Sequence, residues 1–438
     1  MPMLFASPPA MSFELFGPFV AIHTTKQRHG KFNMSMQSGS HESQQHTAGG
    51  RPLRVLFAGG GTGGHLSPAL AVAQTLRQMH PDAEILFIGT ADRLEAVKVP
   101  AAGFAFCPIS VHGLAGRWTI SGLLKRLRGL LEILTLLPLW QSLAALGRFQ
   151  PDVVVGTGGY VCGPVLLAAK LLGRPAFLVE QNEEIGYTSR LVSRFIRLAA
   201  VISEESGTFF RARGIRTEVV GNPVRPAILA TTRSEGIAAL ELEADRSTLS
   251  IVGGSLGSTP VNEASIGALR QLAQEHWFRD GWQVIHQVGP QRGGELSSDE
   301  IKTLGIAYRA YPFLDNIHDL LAASDVIISR GGGTFLAEIA ARGVPLVIIP
   351  WSGAANNHQA RNAQPFADAG AAVVIPDDQL SETTLFSALH DILPDPSKRA
   401  TMAATCRKLG HPESAQRIVT FIEEFASPHP KHSQSPHR

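Results

Sequence analysis

The sequence predicts an α/β protein: two consecutive Rossmann-like domains facing each other across a cleft. Three observations carry this. Short apolar runs alternate with helical stretches from residue 53 onward. The alternation restarts with a second strand-into-glycine unit at residue 247. The chain has 438 residues, more than one hydrophobic core accommodates.

Residues 53–58 (LRVLFA) read as a strand ending in glycines, and residues 66–79 as an amphipathic helix with Pro68 in its first turn. Further strands are predicted at 84–88, 152–155, 176–179 and 199–202. Apolar runs without polar alternation indicate a mainly parallel sheet covered by helices on both faces. In the second half, residues 247–252 lead into glycines and a helix over about 261–276, with strands at 284–285, 326–329, 346–349 and 372–375. Between the halves, Gly221-Asn-Pro-Val-Arg-Pro226 concentrates two prolines and a glycine, which marks an interdomain hinge. The expected domains are 51–222 and 223–427, with the last helix able to pack back on the first domain.

Residues 27–50 are rich in Ser, Gln, His and Gly without apolar period, so 1–50 is expected to be a disordered extension, or an over-extended start with initiation at Met34 or Met36. Residues 11–22 are apolar but lack a basic region before them and carry Glu14, a poor signal peptide. Residues 428–438 read as a frayed tail. At 44% hydrophobic and 17% charged residues, the remainder is globular. A net charge of +2 gives no reason to expect a nucleic-acid partner. The 3 cysteines form no CxxC pair, so neither a disulfide framework nor a zinc site is supported, and a reducing compartment fits best.

The chemistry is expected in glycine-rich loops between strands and helices. Gly59-Gly-Gly-Thr-Gly-Gly-His65 lets backbone approach an anion at a helix amino end, and includes Thr62, Gly63 and Gly64. His65 stands at its mouth, where an imidazole could deprotonate a sugar hydroxyl or simply cap the helix; the residue alone leaves both open. Gly156-Thr-Gly-Gly-Tyr-Val-Cys-Gly-Pro164, with Gly158, Gly159 and Tyr160, should line the same crevice. Glu180-Gln-Asn182 closes another strand there; Asn182 is either a turn former or a ligand contact. In the second half, Gly253-Gly-Ser-Leu-Gly257 suits a pyrophosphate. Arg330-Gly-Gly-Gly-Thr-Phe-Leu-Ala-Glu338 can face phosphates, with Glu338 either binding ribose hydroxyls or solvated. Asn356-Asn-His-Gln-Ala-Arg-Asn362 supplies amides that donate and accept, as sugar hydroxyls or a uracil edge require. The sequence has no Asp-x-Asp motif, which argues against a metal-dependent nucleotide-sugar site of that type, and no GxxxxGK[ST] loop, which argues against a P-loop nucleotidase.

Leu123, Leu124, Leu127, Leu130, Leu131 and Leu134 recur at helical spacing with Lys125, Arg126 and Arg128 between them. Such a helix either covers the sheet or dips into an anionic bilayer surface; the basic residues beside leucines favour the second. Residues 130–147 come nearest to a membrane span, but Glu132, Pro138 and Gln141 interrupt them.

In this order and spacing, the loops, Glu180-Gln-Asn182, Gly221-Asn-Pro-Val-Arg225 and Asn357-His-Gln-Ala-Arg-Asn-Ala363 resemble the MurG family of peptidoglycan N-acetylglucosaminyltransferases, within the GT-B superfamily, over residues 53–425. The resemblance implies inverting transfer of N-acetylglucosamine from UDP-GlcNAc to the C4 hydroxyl of the N-acetylmuramoyl unit of lipid I, giving lipid II. It implies an N-terminal domain for the lipid-linked acceptor and a C-terminal domain for the donor. Thr62, Gly63, Gly64 and His65 would face the acceptor pyrophosphate and the transfer centre, with Gly158, Gly159 and Tyr160 on the acceptor side. Thr62, Gly63 and Gly64 also border the donor. Asn182 and Arg225 would contact the donor from the cleft and hinge. Ser255 would meet a donor phosphate, Leu314 would offer backbone to uracil, and Gly333, Thr334, Phe335 and Glu338 would hold phosphate and ribose. Gln359 would bind the sugar's hydroxyls. Leu123, Leu124, Lys125, Leu127, Arg128 and Leu131 would face the anionic inner leaflet, placing the chain peripherally on the cytoplasmic face of the cell membrane, near other cell-wall synthesis and division proteins. No cofactor or metal is expected.

Four residues depart from the family pattern: Leu256 where a glutamine is common, Cys162 where a serine is usual, His358 where another amide is frequent, and Phe335 where a small hydroxylated residue is frequent. A one-residue slip would put Thr334 in the last position. Rival readings are a lipid glycosyltransferase acting on diacylglycerol and a non-catalytic cell-wall scaffold. A NAD-dependent oxidoreductase is disfavoured, because Asp92 lies late for a ribose-binding acid.

Overall fold

In a computed structural model, residues 51–60, 63–111, 136–254, 256–290, 293–354 and 357–427 are described. The expectations for residues 1–50 and 428–438, and for Thr62, Ser255, Leu123, Leu124, Lys125, Leu127, Arg128 and Leu131, fall outside them.

The first sheet has seven parallel strands: β1 (Arg54–Ala58), β2 (Glu84–Gly89), β3 (Ala105–Pro108), β4 (Val153–Gly156), β5 (Ala176–Val179), β6 (Leu198–Val201) and β7 (Arg216–Val219), in the order β3-β2-β1-β4-β5-β6-β7. The second has six: β8 (Ser247–Val252), β9 (Trp282–Gln287), β10 (Ala307–Tyr311), β11 (Val326–Ser329), β12 (Leu346–Ile348) and β13 (Ala372–Val374), in the order β10-β9-β8-β11-β12-β13. All pairings are parallel. In both sheets the order reverses beside the first strand, β1 against β4 and β8 against β11, and a crevice opens at such a switch point beyond the carboxyl ends of the strands. The described loop residues there are 59–60, 157–161, 253–254, 256–258 and 330–332, from the glycine-rich segments.

Central strands are apolar on both sides because helices cover both faces. In β1, Val55 and Phe57 join one core while Leu56 and Ala58 join the other. In β8, Leu249 and Ile251 enter one core and Val252 the opposite one. The helix expected over 261–276 runs Thr259–Leu272, and a separate short helix, His276–Gly281, leads into β9. Strands β3, β7 and β10 were not expected. Each is a sheet edge carrying exposed or half-exposed residues, including Arg216 and Glu218 in β7 and Arg309 in β10, so none shows the apolar run of a central strand.

Residues 221–225 carry no regular structure between β7 and the short helix Pro226–Ala230. The final helix, Ser414–Ala426, returns to the first sheet, where Ile418, Val419, Phe421 and Ile422 are part of the core with Val55 and Phe57. Ser414 Oγ donates to Gly221 O at 2.9 Å and Arg417 Nη1 to Val219 O at 2.7 Å, so this helix clamps the start of the linker. Among the described residues no helix is long and apolar enough to cross a membrane.

Candidate active site

β1 ends at Gly59-Gly60, and the helix Gly63–Met79 places His65 in its first turn. The second loop is built against this turn. Gly158 and Gly159 have φ of +94° and +77°, and a Cβ on Gly159 would sit 2.3 Å from Gly60 O, so glycine is needed for both conformation and approach. Thr157 Oγ1 donates to His65 O at 2.8 Å. The Cys162 thiol donates to Ala58 O at 2.9 Å and accepts from Gly158 N at 3.2 Å, tying the end of β1 to the second loop. Burial pushes this thiol up to about 12, so it stays protonated and serves as a hydrogen-bonding group, as a serine hydroxyl would. Tyr160 is half-buried and packs on the core behind the loop.

Beyond β5, Glu180 is buried, and desolvation raises its carboxyl pKa against the lowering effects of a Ser189 hydrogen bond, the charge of His65 and the amides of Gln181 and Asn182. Gln181 Oε1 lies 3.0 Å from His65 Nδ1, while Gln181 Nε2 donates to Val179 O at 2.5 Å. Under the first loop, the buried Glu95 accepts from Thr90 N at 3.1 Å and from Thr90 Oγ1 at 2.9 Å; a Cβ on Gly60 would meet its carboxylate.

On the opposite side, the helices Thr259–Leu272 and Gly333–Arg342 begin at the loops after β8 and β11. Arg225 Nε and Nη2 donate to the two oxygens of Glu338 at 2.6 and 2.8 Å, a bidentate pair with the Glu338 side chain 2% exposed. Arg225 and Glu338 are therefore positioned as one unit. Gln359 Oε1 accepts from Gly331 N at 3.1 Å and from Trp351 N at 2.9 Å, so the carbonyl is committed to backbone and the amide nitrogen is left for a sugar oxygen. Gln287, at the end of β9, donates to Gly254 O at 3.0 Å and accepts from Leu314 N at 3.2 Å. Leu314 thus has its N–H occupied and only its carbonyl to offer a base.

The two halves meet. Thr334 Oγ1 donates to Gly64 O at 3.2 Å, Asn222 Nδ2 to Gln181 O at 2.9 Å, and Glu183 N to Asn362 Oδ1 at 3.4 Å. Asn182 lies beside Asn362, 3.5 Å between amide groups. Ion pairs flank the cleft: Arg361 with Glu184 at 2.6 Å and Lys98 with Asp315 at 2.5 Å. His65, Gly64, Gly158, Gly159, Asn182, Gly333, Thr334 and the Arg225–Glu338 pair are thereby gathered at one seam.

Comparison with known proteins agrees with this arrangement. The glycosyltransferase family 28 N-terminal domain matches residues 55–201 and the family 28 C-terminal domain residues 248–418. The chain belongs to glycosyltransferase family 28. Among family 28 relatives, the UDP-N-acetylglucosamine–N-acetylmuramyl-(pentapeptide) pyrophosphoryl-undecaprenol N-acetylglucosamine transferase of Moorella thermoacetica is 40% identical over 381 residues, covering 84% of this chain and 98% of the relative. The transferase of the same name from Desulforamulus reducens is 37% identical over 382 residues, covering 85% and 99%. The crystal structure of Acinetobacter baumannii MurG superposes with a TM-score of 0.63 at 26% identity, covering 85% of this chain and all of that one. A kitacinnamycin glycosyltransferase at 15% identity and the same TM-score shares the fold.

One of the residues that depart from the family pattern, Phe335, is explained by packing. Phe335 turns into the core behind the donor helix while its neighbour Thr334 reaches the cleft, so the hydroxyl is supplied one position earlier. Leu256 is 80% exposed in the loop after β8, and nothing in the structure explains the departure there. The sequence alone assigned no role to Gln181, Glu95, Gln287 or Asn222, and it grouped Asn362 with the amides for a sugar or uracil, whereas the structure has its side chain bridging Glu183 N and Gly331 O. Gln181 and Gln287 share one signal: a glutamine at or just past the carboxyl end of a central strand, where an amide can link two loops.

Proposed function

We propose that this family 28 chain transfers N-acetylglucosamine from UDP-GlcNAc, with inversion, to the C4 hydroxyl of the N-acetylmuramoyl unit of undecaprenyl-pyrophosphoryl-MurNAc-pentapeptide, forming lipid II. The observation that carries the mechanism is the contact of Thr334 with Gly64, which sets the first turn of the donor-side helix against the loop bearing His65. A hydroxyl at the first loop and an anomeric carbon at the second meet there.

His65 is the base. Its Nε2 takes the proton of the C4 hydroxyl as that oxygen bonds to the anomeric carbon; the bond from that carbon to the UDP oxygen breaks, and UDP leaves with the electron pair. The charge developing on UDP is met by the amino ends of the helices Thr259–Leu272 and Gly333–Arg342, whose free N–H groups and dipoles favour an anion. Gln359 donates to a sugar oxygen, the Glu338 carboxylate accepts from the ribose and Arg225 holds that carboxylate in place. Closure about residues 221–225 excludes water, which would otherwise hydrolyse the donor.

The acceptor's lipid carrier brings the chain to the cytoplasmic face of the membrane, where it sits peripherally. In support, the neighbouring helices Leu137–Phe149, Cys162–Leu171 and Tyr187–Val192 leave Trp140 65%, Leu171 61% and Tyr187 82% exposed, with Arg190 and Arg194 alongside. Transfer proceeds without a metal cofactor.

The test is transfer of label from UDP-GlcNAc to a lipid I analogue, with and without EDTA. Equal rates of disaccharide-lipid formation are expected. Transfer to diacylglycerol instead, or a rate abolished by chelation, overturns the corresponding part of the reading.

A further inference from the structure

We propose that Gln181 is a positioning residue that fixes the tautomer of His65, so that Nε2 rather than Nδ1 is the proton acceptor. This rests on the reading of His65 as the base.

The argument begins with what an amide can do. A glutamine amide has one end that only donates and one that only accepts. Gln181 Nε2 lies 2.5 Å from Val179 O, and a carbonyl oxygen only accepts, so the donating end is held there. The accepting end, Oε1, is therefore the atom 3.0 Å from His65 Nδ1. An acceptor at that position requires the proton on Nδ1. In a neutral imidazole the lone pair is then on Nε2.

The surroundings leave no alternative arrangement. Gln181 is 2% exposed, so water does not compete for its amide. The ring lies against Gly158, where a Cβ would come within 2.7 Å of Nδ1, and the main-chain oxygen of His65 is held by Thr157. Gln181 is itself fixed from the other side of the cleft, because its main-chain carbonyl accepts from Asn222 Nδ2 and approaches Gly333 at the amino end of the helix Gly333–Arg342. One residue thus joins the ring that takes the proton to the helix that faces the leaving group.

A neutral amide suits this task better than a carboxylate. When His65 takes the acceptor's proton, the Nδ1–H···O bond becomes charge-assisted and strengthens in the transition state. A carboxylate at position 181 would hold the ring as imidazolium before the acceptor arrives.

The experiment uses the full-length enzyme with UDP-GlcNAc and a lipid I analogue, comparing wild type, Gln181→Leu, Gln181→Glu, His65→Ala and the double variant His65→Ala/Gln181→Leu. Gln181→Leu is expected to lower kcat by about 10- to 100-fold while KM for UDP-GlcNAc stays within about 3-fold. In the His65→Ala background the same substitution should add almost nothing, because its effect passes through the ring. Gln181→Glu should move the acidic limb of the pH–rate profile upward. Nitrogen-15 spectra of histidine-labelled wild type should place the proton on Nδ1 of His65, and Gln181→Leu should mix the tautomers. Additive losses in the double variant, an unmoved acidic limb, or a proton found on Nε2 would each overturn the proposal. Failure of the base reading has a different signature, since His65→Ala would then keep wild-type kcat. Should Gln181→Leu misfold, Gln181→Glu and the wild-type spectrum decide alone.

Discussion

At the residue scale, the site depends on side chains that have one end committed to backbone. If His65 is the base proposed above, His65→Ala should lower kcat by about 10²- to 10⁴-fold while UDP-GlcNAc binding measured by calorimetry is retained. Gln359 separates two roles in one side chain. Its carbonyl holds Gly331 N and Trp351 N, and only its nitrogen remains for the sugar. Gln359→Glu keeps the accepting end and loses the donor, so KM for UDP-GlcNAc should rise about 10-fold with thermal stability nearly unchanged. Gln359→Leu leaves both backbone N–H groups without their partner and should lower Tm as well. Equal Tm values for the two variants would show that the carbonyl does not hold the loop.

At the element scale, the donor loops are linked through strand ends. Gln287 at the end of β9 bridges Gly254 and Leu314, so the loop after β8 and the segment after β10 share one anchor. Gln287→Ala should raise KM for UDP-GlcNAc by roughly 5- to 10-fold and leave KM for the acceptor unchanged, because both bonds lie in the second domain. The final helix matters differently. Ile418, Val419, Phe421 and Ile422 complete a core made otherwise from the first domain's sheet and helices, at about 1.5–3 kcal/mol for each buried side chain. A chain ending before Ser414 should therefore lose a cooperative thermal transition of the N-terminal domain, even though the deleted residues lie at the opposite end of the sequence.

At the scale of the whole molecule, a buried histidine in the second domain predicts sensitivity to acid. His286 is buried in β9, with Nδ1 2.8 Å from Tyr308 Oη and Nε2 3.0 Å from Asn262 Oδ1, and burial lowers its pKa from 6.5 to about 4. Between these values the unfolded chain binds the proton and the folded one does not, so stability increases with pH across the interval. Acidification from 6.5 towards 4 should cost about 3 kcal/mol. Denaturant midpoints should fall over that range, and more steeply in the wild type than in His286→Gln. The proposed membrane association is tested at this scale too: Trp140→Glu should weaken cosedimentation with anionic vesicles and leave transfer to a water-soluble acceptor analogue unaffected.

Much of the fold was legible because parallel sheets covered on both sides need uninterrupted apolar strands, and β1, β4, β5, β8 and β11 have them. The glycine-rich loops were legible for a related reason, since a strand that enters a helix through several glycines leaves little but close approach to explain them. Edge strands β3, β7 and β10 were not, because one side of each lacks a neighbour and tolerates charge. By itself, then, the sequence determined the α/β class, the two repeats, the order of the loops and the family they belong to, all of which depend on local pattern and spacing. Only the tertiary structure decided which loops touch, that Thr334 and not Phe335 faces the cleft, that Arg225 and Glu338 act as a pair, and that Gln181 meets His65 across 116 residues of chain. Such contacts are set by where two switch points come to lie in space, and local spacing along the chain does not encode that distance.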